Sequence, residues 1–328
     1  MSYPNCLSQS IYLIVTLIVI RGPLDITWAP IPNFAGDMIA AFAFGCVLLK
    51  SFSWPKPDIA RAIQIFKSSW QIALSRVLRH LIFTFDVIAI GFVLTEYDVG
   101  LYTAPYRICI VFLAVATTIH ISYLPDLARA WGTDPAEVNR LTNNSLWLAL
   151  SISAPIFIGG AFVARPLLTL ILGQDFSPGA ESLQLLLASI FLIFIHKAFH
   201  NLLLTAHKLR GEVWVMIAAA AISIVLNLLL LPRYGIVAAA FSTACVEALV
   251  LLASWWLESR LNLRVTGVGF FPVLLACGGM LIVLALLGNQ TSIFILIPTG
   301  AFVYAFLLIL FRGVPPDMPF YSRLSFKR

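Results

Sequence analysis

Residues Val213–Leu257 read VWVMIAAAAISIVLNLLLLPRYGIVAAAFSTACVEALVLLASWWL. The runs Val213 to Leu231 and Gly235 to Leu257 are each long enough to cross a bilayer, for which a helix needs about 20 mostly apolar residues. Only Pro232, Arg233 and Tyr234 stand between them. Inside hydrocarbon each backbone N–H and C=O must find its partner within the segment, so two adjacent runs of this kind predict a pair of transmembrane helices.

Working outward, Leu183 to Leu204, Val268 to Gly288 and Ser292 to Phe311 meet the same requirement. Trp70 to Leu94, Gly100 to Tyr123 and Leu146 to Val163 are also long enough, although the first two carry internal charges. Phe34 to Leu49, which contains Asp37, and the short core Ile11 to Ile20 complete ten expected spans. Residues 1–20 contain no Lys or Arg, so the cationic region of a cleaved leader is missing and the first segment is expected to stay as a helix. Asp58 to Phe66 spaces its apolar residues as a short interfacial helix would.

Composition agrees. Of 328 residues, 60% are hydrophobic, 11% are charged, and mean hydropathy is +0.95. An ordinary soluble domain carries about 25% charged residues, which excludes that class and a disordered chain as well. The reading is an all-α integral membrane protein with about ten transmembrane helices.

A net charge of +6 needs no nucleic-acid partner here, because basic residues of membrane proteins gather in cytoplasmic loops. Ten spans put fourteen Lys and Arg on one side and Arg21, Arg165 and Arg233 on the other. That asymmetry predicts that both termini are cytoplasmic. The five cysteines, Cys6, Cys46, Cys109, Cys245 and Cys277, stand singly, without the spacing of a zinc site or a disulfide framework. Nothing resembles a Walker A loop, a HExxH pair or a nucleophile elbow. The sequence therefore predicts no cofactor, no metal and no enzyme.

Charges within spans are costly in hydrocarbon and tend to face a cavity or a partner. Arg76, Arg79 and His80 share one face of the third span, with Asp86 two turns beyond Arg79 on nearly the same face. Arg76 and Arg79 either line a cavity or reach back to the interface, whereas the short Asp86 carboxylate has no such escape. Lys197 lies about 16 Å along its helix from Lys208, near the bilayer midplane, flanked by His196 and His200. Glu247 is at similar depth, either as a structural partner of Lys197 or as a group that neutralises it between states. Arg107, seven residues into the fourth span, either approaches the cavity from the outer side or reaches back to the interface.

Several stretches together resemble the polysaccharide flippases of the multidrug/oligosaccharidyl-lipid/polysaccharide exporter superfamily. Asp86 is followed by Val99-Gly100, Tyr102 and Ala104, then Tyr123-Leu-Pro125-Asp-Leu-Ala-Arg129. Leu172-Gly173-Gln174-Asp175-Phe176 and the motif from Asn227 through Pro232, Tyr234-Gly235 and Ala238-Ala239-Ala240 complete the match. The resemblance implies a partial two-lobe flippase bundle in which the first helix corresponds to the family's fifth, four N-terminal helices of the pattern falling outside the chain. Residues 1–56 would then be the remainder of an N-terminal lobe with two helices, 57–257 a C-terminal lobe of six, and 258–328 two further helices and a cytoplasmic tail.

The function implied is translocation of a polyprenyl-pyrophosphate-linked oligosaccharide across a bacterial cytoplasmic membrane during O-antigen, capsule or exopolysaccharide synthesis. Arg76, Arg79, Arg107 and Lys197 are the expected substrate-binding cations, since guanidinium and ammonium groups replace the hydration of phosphate through charge-assisted hydrogen bonds. Asp86, Glu247, His80, His196 and His200 are candidates for coupling or charge pairing. Lipid-linked oligosaccharide, membrane lipids and polysaccharide assembly proteins are the expected partners. A cation-coupled multidrug antiporter of the same fold is the first alternative, disfavoured because deep cations outnumber deep acids. A membrane polysaccharide polymerase or ligase and an inactive remnant are the others, the former lacking a large extracytoplasmic loop.

Overall fold

The computed structural model describes residues 3–19, 28, 30–51, 58–206, 208–260, 270–288, 291–311 and 313–314. Among these, every regular element is helical. In order they are α1 (Tyr3–Val19), α2 (Pro30–Ser51), α3 (Ile59–Val93), α4 (Glu96–Ala130), α5 (Pro135–Phe162), α6 (Ala164–Leu172), a 3₁₀ turn (Gln174–Gly179), α7 (Ala180–Thr205), α8 (Leu209–Tyr234), α9 (Ile236–Ser259), α10 (Phe270–Leu287) and α11 (Ile293–Leu310). The chain divides into two compact units, Met1–Lys67 and Ser68–Arg328.

Seven of the described helices, α4, α5 and α7 to α11, are long and apolar enough to cross a membrane. Two shorter apolar stretches, Ser10–Val19 and Phe34–Val47, lie in α1 and α2. With α3, whose apolar half carries Arg76, Arg79 and Asp86, they account for the ten expected spans. The protein is a multi-pass membrane protein. Its exposed surface is correspondingly rich in Phe, Leu, Ile and Trp, the reverse of what water selects.

In the first unit α1 packs along α2. The expected interfacial lead-in is continuous with the third span rather than separate: Asp58 accepts from the Arg61 N–H at 3.0 Å and opens α3. The later connections are also more helical than hydropathy suggests. Pro125 to Ser145 is mostly α4 and α5, and Arg165 to Glu181 is α6, the 3₁₀ turn and the start of α7. Side-chain caps explain two of these starts. Thr95 and Asp98 form a capping box at α4, and Asp134 accepts from the Ala136 and Glu137 N–H groups, each at 3.0 Å, at α5.

In the second unit α7 is the central element, packed on α4, α5 and α9. Leu183, Leu187, Ile190 and Phe194 repeat at helical spacing along its buried face. The α10–α11 hairpin packs against α5. Two buried aromatic heads fix that contact, Trp147 donating to Gly313 O at 2.6 Å and Tyr304 donating to Ser151 O at 2.8 Å. His120 ties three helices, with its ring 2.8 Å from Phe194 O and 3.1 Å from Ser145 Oγ, while Asn201 donates to His120 O at 2.6 Å.

Helices α8 and α9 turn on Gly235, whose φ of 61° and ψ of −150° lie where a side chain is strained. A Cβ there would meet no atom within 4 Å, so the cost of adding one is purely conformational. Gly235→Ala is expected to lower stability by roughly 1–3 kcal/mol, read as a fall in the thermal unfolding midpoint of the detergent-solubilised protein. A midpoint equal to that of the unsubstituted chain would contradict this.

Candidate functional site

The charges predicted to lie within spans separate into two clusters and a set of exposed groups. The first cluster is built on Asp86, which is 1% exposed on α3. Asn227 Nδ2 on α8 donates to its Oδ1 at 2.8 Å. Tyr102 OH on α4 donates to Oδ2 at 3.0 Å, and Thr243 Oγ1 on α9 donates to the same oxygen. Asn227 also donates to Ser223 O at 2.9 Å and Ser242 Oγ at 3.2 Å. One carboxylate thus gathers donors from three other helices in the bundle interior. A buried anion of this kind persists only where its lone pairs are taken up.

The second cluster is centred on Arg79, two turns before Asp86. Its Nη1 donates to Glu247 Oε1 at 3.0 Å, and its Nη2 lies 2.8 Å from His196 Nε2. The Arg79 side chain is 26% exposed and Glu247 is fully enclosed. Glu247 therefore takes its ion pair from α3, both its oxygens facing Arg79 Nη1, and not from Lys197, the partner considered from sequence. The network continues to Glu212 at the start of α8, whose Oε1 is 2.5 Å from His200 Nδ1 and 3.9 Å from His196 Nε2.

Lys197, half-buried beside His196, forms no ion pair among the described residues. Arg76, His80 and Arg107 are exposed. His80 contacts Thr84 on its own helix at 3.4 Å. Helical spacing puts Arg76, Arg79 and His80 on one side of α3, but only Arg79 is drawn inward, because Glu247 and His196 lie opposite it.

Sequence reasoning passed over Thr243, Ser242 and Glu212 as partners, and Met216, whose Sδ lies 3.7 Å from Arg79 Nη2. Tyr102 and Asn227 were visible as motif residues, and both prove to hold Asp86. Thr243 had no signal beyond being a hydroxyl in a small-residue run.

A model of the polysaccharide biosynthesis protein family matches residues 28–181. Two proteins of Haloferax volcanii align over most of the chain. The probable low-salt glycan biosynthesis flippase Agl15 is 22% identical over 295 residues, covering 87% of this chain and 62% of that protein. The probable flippase AglR is 24% identical over 298 residues, covering 84% and 60%. Among solved structures, the lipid II flippase MurJ in its inward closed conformation superposes with a TM-score of 0.73 at 14% identity, over 94% of this chain and 67% of that one. The chain thus resembles polysaccharide-biosynthesis flippases in sequence and shares the MurJ fold.

The chain spans about three-fifths of the length of the curated relatives it matches. Within that span lie both clusters, and the family-model match covers Asp86 and Tyr102.

Proposed function

We propose that the chain translocates a lipid-linked oligosaccharide across a membrane, taking the polyprenyl-pyrophosphate headgroup through a cationic interior while the tail stays in lipid. The observation that carries this reading is Lys197. It sits half-buried in the most enclosed helix without a carboxylate partner among the described residues. An ionisable group at such depth is expensive unless it serves a ligand or a path. An anionic headgroup supplies the missing charge. Arg79, one quarter exposed, is the second cation within reach of the interior, and Arg76 and Arg107 would meet the headgroup nearer the surfaces.

Asp86 and Glu247 serve as the coupling groups in this scheme. Each is enclosed, and each is held by side chains from other helices, so a change in either one's charge would be felt across α3, α4, α8 and α9. The two-lobe rocking used by repeat-built transporters would then alternate access to the leaflets. A bacterial cytoplasmic membrane with both termini inside, and association with polysaccharide assembly proteins, complete the proposal. The similarity to Agl15, AglR and MurJ supports it.

The test is headgroup translocation by the full chain reconstituted into vesicles with a fluorescent lipid-linked oligosaccharide. A charge-assisted hydrogen bond contributes about 1.5–3 kcal/mol, so Lys197→Ala is expected to slow translocation by about 10- to 100-fold. Lys197→Arg should keep most of the rate. An undiminished rate in Lys197→Ala, with the protein folded, removes Lys197 from the site.

A further inference from the structure

The cluster His196, His200 and Glu212 has a geometry that neither packing nor headgroup binding requires. The two imidazoles are one turn apart on α7 and meet Glu212 in the first turn of α8, with one donor atom from each within 4.8 Å of the others. His196 is 2% exposed and Glu212 1%. Both keep a buried atom, His196 Nδ1 and Glu212 Oε2, without a hydrogen-bond partner among the described residues. Buried polar atoms are nearly always satisfied, so the orphaned Glu212 Oε2, on a carboxylate whose other oxygen meets both imidazoles, points to a ligand there.

We propose that His196, His200 and Glu212 bind a divalent transition metal, with zinc the best chemical match. Two imidazoles and one carboxylate are borderline ligands, suited to zinc and its neighbours and poorly suited to magnesium or calcium, which prefer oxygen throughout. Tetrahedral coordination at about 2.1 Å places ligand atoms about 3.4 Å apart. The observed separations of 2.5 Å and 3.9 Å from Glu212 Oε1 bracket that spacing, so small side-chain adjustments suffice. Arg79 donates toward His196 Nε2, which means that this nitrogen presents a lone pair, the form a metal requires. His200 is 33% exposed, leaving an open side for entry and for a fourth ligand.

Binding exchanges two contacts. The hydrogen bond between His200 Nδ1 and Glu212 Oε1 is given up, and the ring carries its proton on Nε2, leaving the Nδ1 lone pair to the metal. The Arg79 Nη2 contact to His196 is given up, while Nη1 stays on Glu247. The site therefore links a metal held between α7 and α8 to the freedom of the α3 guanidinium. From sequence alone it is hidden, because Glu212 belongs to the next helix and resembles an ordinary first-turn acid.

The experiment uses the full chain in detergent, stripped with a chelator and titrated with Co²⁺ and then Zn²⁺. One equivalent of Co²⁺ should bind with the intense visible absorption of a four-coordinate site, and one equivalent of Zn²⁺ should abolish that absorption. Loss of supporting groups around metal sites already costs 10- to 100-fold in affinity, so losing a ligand in His200→Ala is expected to cost at least about 100-fold. Glu212→Gln should do the same, with size-exclusion elution showing that each variant is folded. Absence of saturable binding by the intact chain, or unchanged affinity in a folded His200→Ala, overturns the proposal. The readout is independent of translocation.

Discussion

Asp86→Ala is expected to lower stability by between about 2 and 5 kcal/mol and to stop translocation. The lower figure follows from three lost side-chain hydrogen bonds at the roughly 0.6 kcal/mol that such bonds average within membranes. The upper figure applies if Tyr102, Asn227 and Thr243 are left without acceptors, at about 1–3 kcal/mol for each unsatisfied group and partial relief from relaxation. All three partners are buried, Asn227 and Thr243 completely, so water cannot readily replace the carboxylate. Asp86→Asn retains size and one acceptor oxygen and should cost about 1 kcal/mol. The comparison separates two roles. Thermal unfolding in detergent reads the structural one, and translocation in vesicles reads the other. If Asp86 couples transport to its charge, Asp86→Asn remains folded and translocates at a small fraction of the normal rate. If Asp86→Ala unfolds at the same temperature as the unsubstituted chain, the four-helix network does not hold the bundle.

The fold was legible because hydrocarbon leaves few choices. Val213–Leu257 has one reading as a helical pair, and Gly235 marks its turn because the backbone there takes a positive φ. Legibility fell off outside the apolar runs, where helix length depends on caps such as Thr95 with Asp98 and not on hydropathy. Asp86 could be singled out from the cost of placing a short carboxylate in lipid, and the motif residues Tyr102 and Asn227 turned out to be its donors. Glu247 could be placed at the right depth but not given its partner. Depth along a helix follows from sequence at 1.5 Å per residue, whereas which neighbour it faces depends on how α3, α7 and α9 are rotated about their axes. Lys197 and Glu247 share a level, yet Arg79 has the geometry that reaches the carboxylate. Arg76, one turn earlier on the same side, is exposed.

That correction has a direct energetic consequence. Neutralising one partner of an enclosed ion pair strands the other charge, at about 3–5 kcal/mol, whereas replacing both by apolar groups of similar size is often neutral. Arg79→Met and Glu247→Met are therefore each expected to be strongly destabilising, and the double variant is expected to recover most of the loss. The penalties should be unequal. Arg79 is partly exposed and can rehydrate when Glu247 is removed, whereas Glu247 is fully enclosed and cannot. Arg79→Met is thus the more damaging single change. The coupling energy from the four-membered cycle should be about 2 kcal/mol or more, in the upper range for residues in contact. The parallel cycle for Lys197→Met with Glu247→Met should give a clearly smaller coupling, because no ion pair joins those two side chains. A larger coupling to Lys197 than to Arg79 would return Glu247 to Lys197 and remove the argument that Lys197 is held open for an anionic headgroup. The expected order leaves Lys197 as an interior cation that forms no ion pair among the described residues, and it ties Glu247 to α3, the helix that also carries Asp86.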